Sequence, residues 1–281
     1  LEPVFFGCLN TKFEERDEFL RQAPFSQIPY LNGGMFNPQV SDFYKKTERV
    51  EIPNEWFAEL FEILSQYNFT VDENTELDVD LSIDPEMLGR IFENLLAEIN
   101  PETGESARKA TGSYYTPREI VAYMVEESLS DFLKRETGLT TDKVTSLMRY
   151  DDINSTELTT MERKSVVEAL ARLKILDPAC GSGAFPMGIL QKVFYILQRA
   201  DPSGALWYEK QKTTENLREK FANGNYDYIR KLGIIQQSIF GVDIQPIATE
   251  IAKLRCFLAL MIEEKVDDAK PNRGIHPLPN L

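Results

Sequence analysis

One run of residues carries the clearest chemistry in the chain. Asp177-Pro178-Ala179-Cys180-Gly181-Ser182-Gly183-Ala184-Phe185 follows the apolar pair Ile175-Leu176 and leads into a helical pattern. The spacing predicts a buried strand, a glycine turn and then a helix over residues 184–198. Gly181 and Gly183 let the backbone come close to a ligand where a Cβ would collide, and the first turn of the helix offers unpaired N–H groups. Together these make a cradle for a nucleotide-like cofactor. A dinucleotide site would carry a third glycine where Pro186 stands, so that pyrophosphate could rest on the helix N-terminus. Asp177 would repel pyrophosphate but attract an ammonium group. The pattern therefore fits a methionine-type cofactor better than NAD.

Two further groups of residues belong with this turn. Ser238-Ile239-Phe240-Gly241-Val242-Asp243 is a short apolar run ending in an acid, with Pro246 set for the first turn of a helix. An acid at the end of a second strand can accept both hydroxyls of a ribose, which makes Asp243 the candidate ribose ligand; a capping or solvated acid is the alternative. The stretch between the turn and Asp243 exceeds the usual spacing of about 20 residues. Its polar part, with Trp207, Tyr208 and residues 210–220, is expected as a helical hairpin on the surface. Upstream, Thr116, Pro117 and Glu119 are expected to form a capping box that opens a helix. Ile120, Val121, Met124, Val125 and Leu129 would be its buried stripe, with Glu126 and Glu127 outside.

The run from Asp177 to Phe185 resembles the cofactor motif of S-adenosylmethionine-dependent N6-adenine DNA methyltransferases. Tyr114-Tyr115-Thr116-Pro117 resembles the motif that closes over the cofactor in that family. The resemblance implies that Tyr114 backs the cofactor and Thr116 contacts its methionine carboxylate. It further implies that Asp177 and the Ala179 carbonyl lie near its ammonium, that Gly181 and Gly183 form the turn, and that Asp243 binds the ribose. Ile28-Pro29-Tyr30-Leu31-Asn32-Gly33-Gly34-Met35-Phe36 and the segment from Asp84 to Leu96 resemble the helical connector of single-chain type IIG, Eco57I-like restriction–modification enzymes. The implied reaction is transfer of a methyl group from S-adenosylmethionine to the N6 of an adenine flipped out of double-stranded DNA. The family's Asn/Asp-Pro-Pro-Tyr/Phe motif does not occur, and Asn37-Pro38 lacks the second proline. With Leu1 at one end and Leu281 at the other, the expectation is a fragment: part of a cofactor site, no catalytic residue and weak DNA binding at most. A non-catalytic DNA-binding or scaffold module and a NAD-binding oxidoreductase are the alternatives.

The elements that must position these residues follow from pattern. The expected fold is α/β, a partial Rossmann-like methyltransferase core over residues 108–281, preceded by a mainly α-helical connector domain over residues 1–107. In the connector, Trp56, Phe57, Leu60, Phe61 and Leu64 would share one helix face. A second helix would start at Asp84 and Pro85 and bury Met87, Leu88, Ile91, Phe92, Leu95 and Leu96. Residues 101–113 are the expected linker. Residues 137–160 would be a helical excursion ahead of the strand at Ile175. After Asp243, Ile247, Ile251, Leu254, Leu258, Met261 and Ile262 would form the stripe of a helix packed on the sheet.

Composition narrows the class further. The chain has 281 residues, 42% of them hydrophobic, enough for two cored domains. No run approaches the ~18 apolar residues of a membrane span, and no secretory signal opens the chain, so a cytoplasmic location is expected. Cys8, Cys180 and Cys256 are too scattered for a disulfide framework or a thiolate metal site, and no metal is expected. His276 is the only histidine, which leaves Ser-His-Asp and Cys-His mechanisms without a base near the turn. A net charge of −14 opposes phosphate binding by the chain as a whole, although Arg108, Lys109 and Arg118 could make one basic face.

Overall fold

The structure is a computed structural model that describes residues 2–31, 34, 36, 37, 53–66, 68, 69, 82, 83, 116–149, 157–211 and 214–277. Two units make up the chain: Leu1–Asp84 with Glu264–Leu281, and Pro85–Glu263. Tyr114, the linker at 101–113, the 107/108 boundary and the expected helix from Asp84 to Leu96 lie outside the described residues.

In the first unit, the N-terminal stretch winds in short helical turns around the buried side chain of Arg16. Its guanidinium donates to the carbonyls of Thr11 at 3.1 Å, Cys8 at 2.9 Å and Ile28 at 2.9 Å. With the Phe25 carbonyl at 3.4 Å, four backbone carbonyls around one cation replace the regular ladder that such a short segment cannot build. Helix α1 (Asn54–Ser65) forms as predicted, and strands β1 (Asn68–Phe69) and β2 (Ser82–Ile83) pair in parallel. Trp56, Leu60 and Phe61, which the pattern places on one helix face, are exposed.

The second unit begins with α2 (Arg118–Thr137). The expected capping box is not formed. Pro117 itself takes the N-cap position, with its carbonyl accepting the N–H groups of Ile120 and Val121, so Thr116 sits one residue too early to cap. The buried stripe is Val121, Val125, Leu129 and Leu133, a strict four-residue spacing, while Ile120 and Met124 are exposed. Helix α3 (Thr141–Met148) makes the first part of the expected excursion helical, residues 150–156 lie outside the described residues, and α4 (Thr160–Arg172) follows, a helix that the pattern reading does not place. Thr140 caps α3, and Thr159 with Glu162 forms a complete capping box on α4. Buried Val144 and Leu147 on α3, and Val166, Val167 and Leu170 on α4, give both helices an apolar face.

Strand β3 (Ile175–Asp177) then runs into the glycine turn and the central helix α5 (Ala184–Ala200). Helices α2, α3 and α4 all pack against α5, as do two later helices, α8 (Tyr226–Gln237) and α9 (Pro246–Met261). The connection holds α6 (Ala205–Glu209) and α7 (Glu215–Ala222). It is helical as expected but not a surface hairpin: the Trp207 ring is fully buried, with its N–H donating to the Ile229 carbonyl at 3.3 Å. An indole buries more apolar area than any polar neighbour forfeits, so it draws the connection inward.

Strand β4 (Ile239–Gly241) pairs in parallel with β3, with Ile175 opposite Ile239, Leu176 opposite Phe240 and Asp177 opposite Gly241. Among the described residues this unit is thus mainly helical, with one two-stranded parallel sheet. Helices α5 and α8 pack against β4. Leu176, Phe240, Val242 and Ile244, by contrast, are exposed. Parallel strands are normally covered on both faces, so this apolar row is unusual. The α9 helix forms where predicted, but with a different face inward. Ala248, Arg255, Cys256, Ala259 and Leu260 are buried while Ile247 and Ile262 are exposed. The helix is apolar almost all round, so periodicity alone could not choose the face.

Candidate cofactor site

The residues that close the C-terminal end of the small sheet form one hydrogen-bonded knot. Asp177 ends β3, and its Oδ1 accepts the Ala179 N–H at 3.1 Å. Its backbone carbonyl accepts the Val242 N–H at 2.9 Å, and the Val242 carbonyl accepts the Cys180 N–H at 3.0 Å, which carries the strand pairing into the turn. Gly181 and Gly183 both have positive φ, 53° and 90°. Asp243 Oδ2 accepts the Gly181 N–H at 2.8 Å, and its Oδ1 accepts the Gln245 N–H at 2.8 Å. Asp177, Ala179, Gly181, Gly183 and Asp243, all singled out from sequence, are therefore brought together.

The two glycines do different work. A Cβ at Gly181 would meet no atom within 4 Å, so the space there is open to a ligand, and the positive φ is what calls for glycine. A Cβ at Gly183 would sit 3.0 Å from the Cβ of Ala252, so this glycine lets the turn close onto α9. The Gly181 N–H is already used by Asp243, and the Gly183 N–H donates to the Cys180 carbonyl at 2.9 Å. No side chain caps α5.

Free acceptor capacity remains at both acids. Asp177 Oδ2 is buried with no hydrogen-bond partner among the described residues. Such an orphan carboxylate oxygen is costly unless a donor meets it, and a cationic donor meets it best. Each oxygen of Asp243 has one protein donor and retains a second lone pair, enough for a hydroxyl apiece. Burial, with Asp177 and Asp243 nearby, pushes the Cys180 thiol above its ordinary pKa, and burial pushes Cys256 up to about 11. Neither is a thiolate at neutral pH, so neither is equipped as a nucleophile. Among the described residues no group of three or more His, Cys, Asp or Glu side chains is set to hold a metal.

Thr116 lies at the same end of the unit. Val121 of α2 packs on Gly188 of α5, where an added Cβ would stand 2.7 Å from its Cγ1. One turn further along each helix, Glu126 pairs with the buried Lys192 Nζ at 2.6 Å. Both helices therefore advance together, which puts their N-terminal ends, with Thr116 before one and Gly183 before the other, side by side. Lys192 also donates to the Met148 carbonyl at 3.0 Å, and burial lowers its pKa despite the pairing with Glu126. Glu126, placed outside by the sequence pattern, is thus the partner of a buried cation.

Three contributors to the knot escaped the sequence reading. Ala252 is the contact of Gly183, Arg255 Nη1 donates to the Ser182 carbonyl at 2.9 Å, and Gly241 leaves room for Cys180, whose Sγ would be 3.0 Å from an added Cβ. The signal for Arg255 was a lone charge inside the apolar run Leu254-Arg255-Cys256-Phe257.

No family model and no solved structure matches the chain. A protein of Methanocaldococcus jannaschii, provisionally named a type II restriction enzyme and methyltransferase, is 32% identical over 298 residues that take in the whole chain. The chain is homologous to part of that restriction–modification protein. The relative's name is consistent with the resemblance to a restriction–modification methyltransferase read from the sequence. The chain spans 22% of the relative's length.

Proposed function

We propose that this chain carries the S-adenosylmethionine site of a DNA (adenine-N6) methyltransferase in a restriction–modification system. The observation that carries the reading is the buried, unpartnered Asp177 Oδ2 beside an open, positive-φ turn, with Asp243 held across it. A cationic amino group suits the first acid and vicinal hydroxyls suit the second, and S-adenosylmethionine has both. When bound, that cofactor supplies an electrophilic methyl group. The chain's own residues bind and orient. Asp177 and the Ala179 carbonyl would hold the ammonium, Asp243 the ribose, and Gly181 the open approach. Thr116 and Tyr114 would act at the methionine carboxylate end.

The same reading gives the unit a Rossmann-like core, in which a further layer would cover Leu176, Phe240, Val242 and Ile244. Methyl transfer itself, the double-stranded DNA substrate and the choice of adenine belong to the larger polypeptide implied by the relative. The sequence holds no Asn/Asp-Pro-Pro-aromatic motif, so no residue here is assigned to the transfer step. DNA binding by this chain alone is expected to be weak and salt-sensitive, given its net charge of −14. No helix among the described residues is long and apolar enough to cross a membrane.

Calorimetric titration of the chain with S-adenosylhomocysteine tests the assignment. Asp177→Ala and Asp243→Ala are each expected to lower affinity by about tenfold or more, the loss of a charge-assisted hydrogen bond worth about 1.5 to 3 kcal/mol. NAD should not compete. Affinity unchanged in both variants would overturn the assignment.

A further inference from the structure

Helix α9 contains a buried positive charge with no part in the ligand contacts above. Arg255 is 4% exposed, on a face it shares with Ala248, Cys256, Ala259 and Leu260. A guanidinium removed from water is costly unless its donors find acceptors, so its target matters. Its Nη1 donates to the carbonyl of Ser182, the residue between the two positive-φ glycines. A peptide plane flanked by glycine rotates at little cost, because glycine occupies positive and negative φ about equally well. The plane between Ser182 and Gly183 is held at both ends, its N–H by the Cys180 carbonyl at 2.9 Å and its oxygen by Arg255. The same stretch of chain holds the neighbouring points: Asp243 takes the Gly181 N–H, and Ala252 abuts Gly183.

We propose that Arg255 is a positioning residue for the cofactor. By fixing the Ser182 carbonyl it keeps the turn in the single conformation that presents Asp177 and the Ala179 carbonyl to the amino-acid end of the ligand. Arg255 touches the turn rather than the cofactor. The proposal rests on the reading of this turn as an S-adenosylmethionine site. An arginine suits the task because its planar fork brings its donors pre-arranged, whereas a lysine offers a single flexible charge.

Arg255→Met, Arg255→Gln and Arg255→Lys in the full chain test it by two independent readouts. The first is amide hydrogen exchange. Residues 180–183 are expected to exchange at least about tenfold faster in the Met and Gln variants than in the wild type, while residues 187–197 of α5 keep their protection. The second is ligand discrimination. Affinity for S-adenosylhomocysteine should fall about tenfold, and affinity for methylthioadenosine, which lacks the amino-acid end, should stay within about twofold. The Lys variant should restore part of both.

Unchanged exchange in the turn overturns the proposal, and so does a parallel loss for both ligands. Wild type that binds neither ligand overturns the cofactor reading, while the exchange readout still decides whether Arg255 holds the turn. Should the Met and Gln variants not fold, Arg255→Lys is read alone, and exchange at 180–183 no faster than in the wild type counts against the proposal.

Discussion

The two glycines of the turn make a paired test at the scale of single residues. Gly181 and Gly183 share a positive φ, so an alanine at either pays about 1 to 2 kcal/mol for a left-handed L-residue. Only Gly183 is also packed, with Ala252 at 3.0 Å from the would-be Cβ. Gly183→Ala should therefore cost about 1 to 3 kcal/mol more than Gly181→Ala in urea unfolding. Combining Gly183→Ala with Ala252→Gly should return part of that excess as a coupling energy, since the Ala252 Cα, 3.2 Å from the would-be Cβ, remains. Equal costs for the two glycines, with no coupling to Ala252, would mean that the turn does not close on α9. Much of this site was legible in the sequence because Asp177, Gly181, Gly183 and Asp243 interrupt apolar runs with residue types that have few other uses. Ala252 and Arg255 were not, since an alanine and an arginine within a helix are commonplace and only the approach of α9 to the turn gives them a role. Pro117 was misread for a related reason. Thr-Pro-x-Glu fits a capping box by spacing, but proline fixes its own φ and took the N-cap position that Thr116 was expected to fill.

Among the elements, the clearest pH-sensitive joint is the one between α3 and α4. Glu162 completes the capping box on Thr159, with Oε2 at 2.9 Å from the Thr159 N–H, while Oε1 meets Lys143 Nζ of α3 at 2.6 Å. The hydrogen bond from Lys143, followed by those from Thr159, draws its pKa from 4.5 down to about 2. A carboxyl whose pKa is lower in the folded chain binds its proton more readily when unfolded. The joint's contribution is therefore whole above pH 4.5 and is lost as pH falls from there towards 2. Glu162→Gln keeps a side chain that can cap but removes the charge. Its thermal midpoint should lie below that of the wild type at pH 7, and the gap should close as pH approaches 2 and shrink in high salt. A gap independent of pH would assign the effect to shape instead. Helix existence was well marked in the sequence here, through caps and runs, whereas helix faces were not. On α2 and α9 the apolar residues exceed what one face can bury, so the choice between Val121 and Ile120, or between Cys256 and Ile247, is made by the neighbouring helix and not by the pattern. Trp207 shows the opposite limit, where a single ring overrides the polarity of its surroundings.

The molecule as a whole is two units whose chain crosses between them twice, after Asp84 and after Glu263. Residues 264–281 group with the N-terminal stretch, an arrangement that no local pattern announces in a tail marked only by prolines. The contact that makes it is specific. Asn272 Oδ1 accepts the Tyr30 N–H at 2.6 Å, and its Nδ2 donates to the carbonyls of Tyr30 at 2.9 Å and Ile275 at 2.6 Å. One side-chain amide thus serves both polar groups of the Tyr30 backbone, as a paired strand would. Asn272 and Arg273 hold positive φ values of 51° and 57°. Asparagine tolerates this region better than most residues, and its three hydrogen bonds offset the remaining cost. Asn272→Gly keeps the backbone conformation free while deleting the amide, so it isolates the hydrogen bonds from the dihedral. If the two units open independently, hydrogen exchange at Tyr30 and Leu31 should rise by at least about tenfold in Asn272→Gly, and residues 187–197 in α5 should not change. Loss of protection in both places would show that the chain unfolds as one cooperative body. No change at Tyr30 would show that the N-terminal stretch is held by Arg16 and its carbonyls without help from residues 264–281.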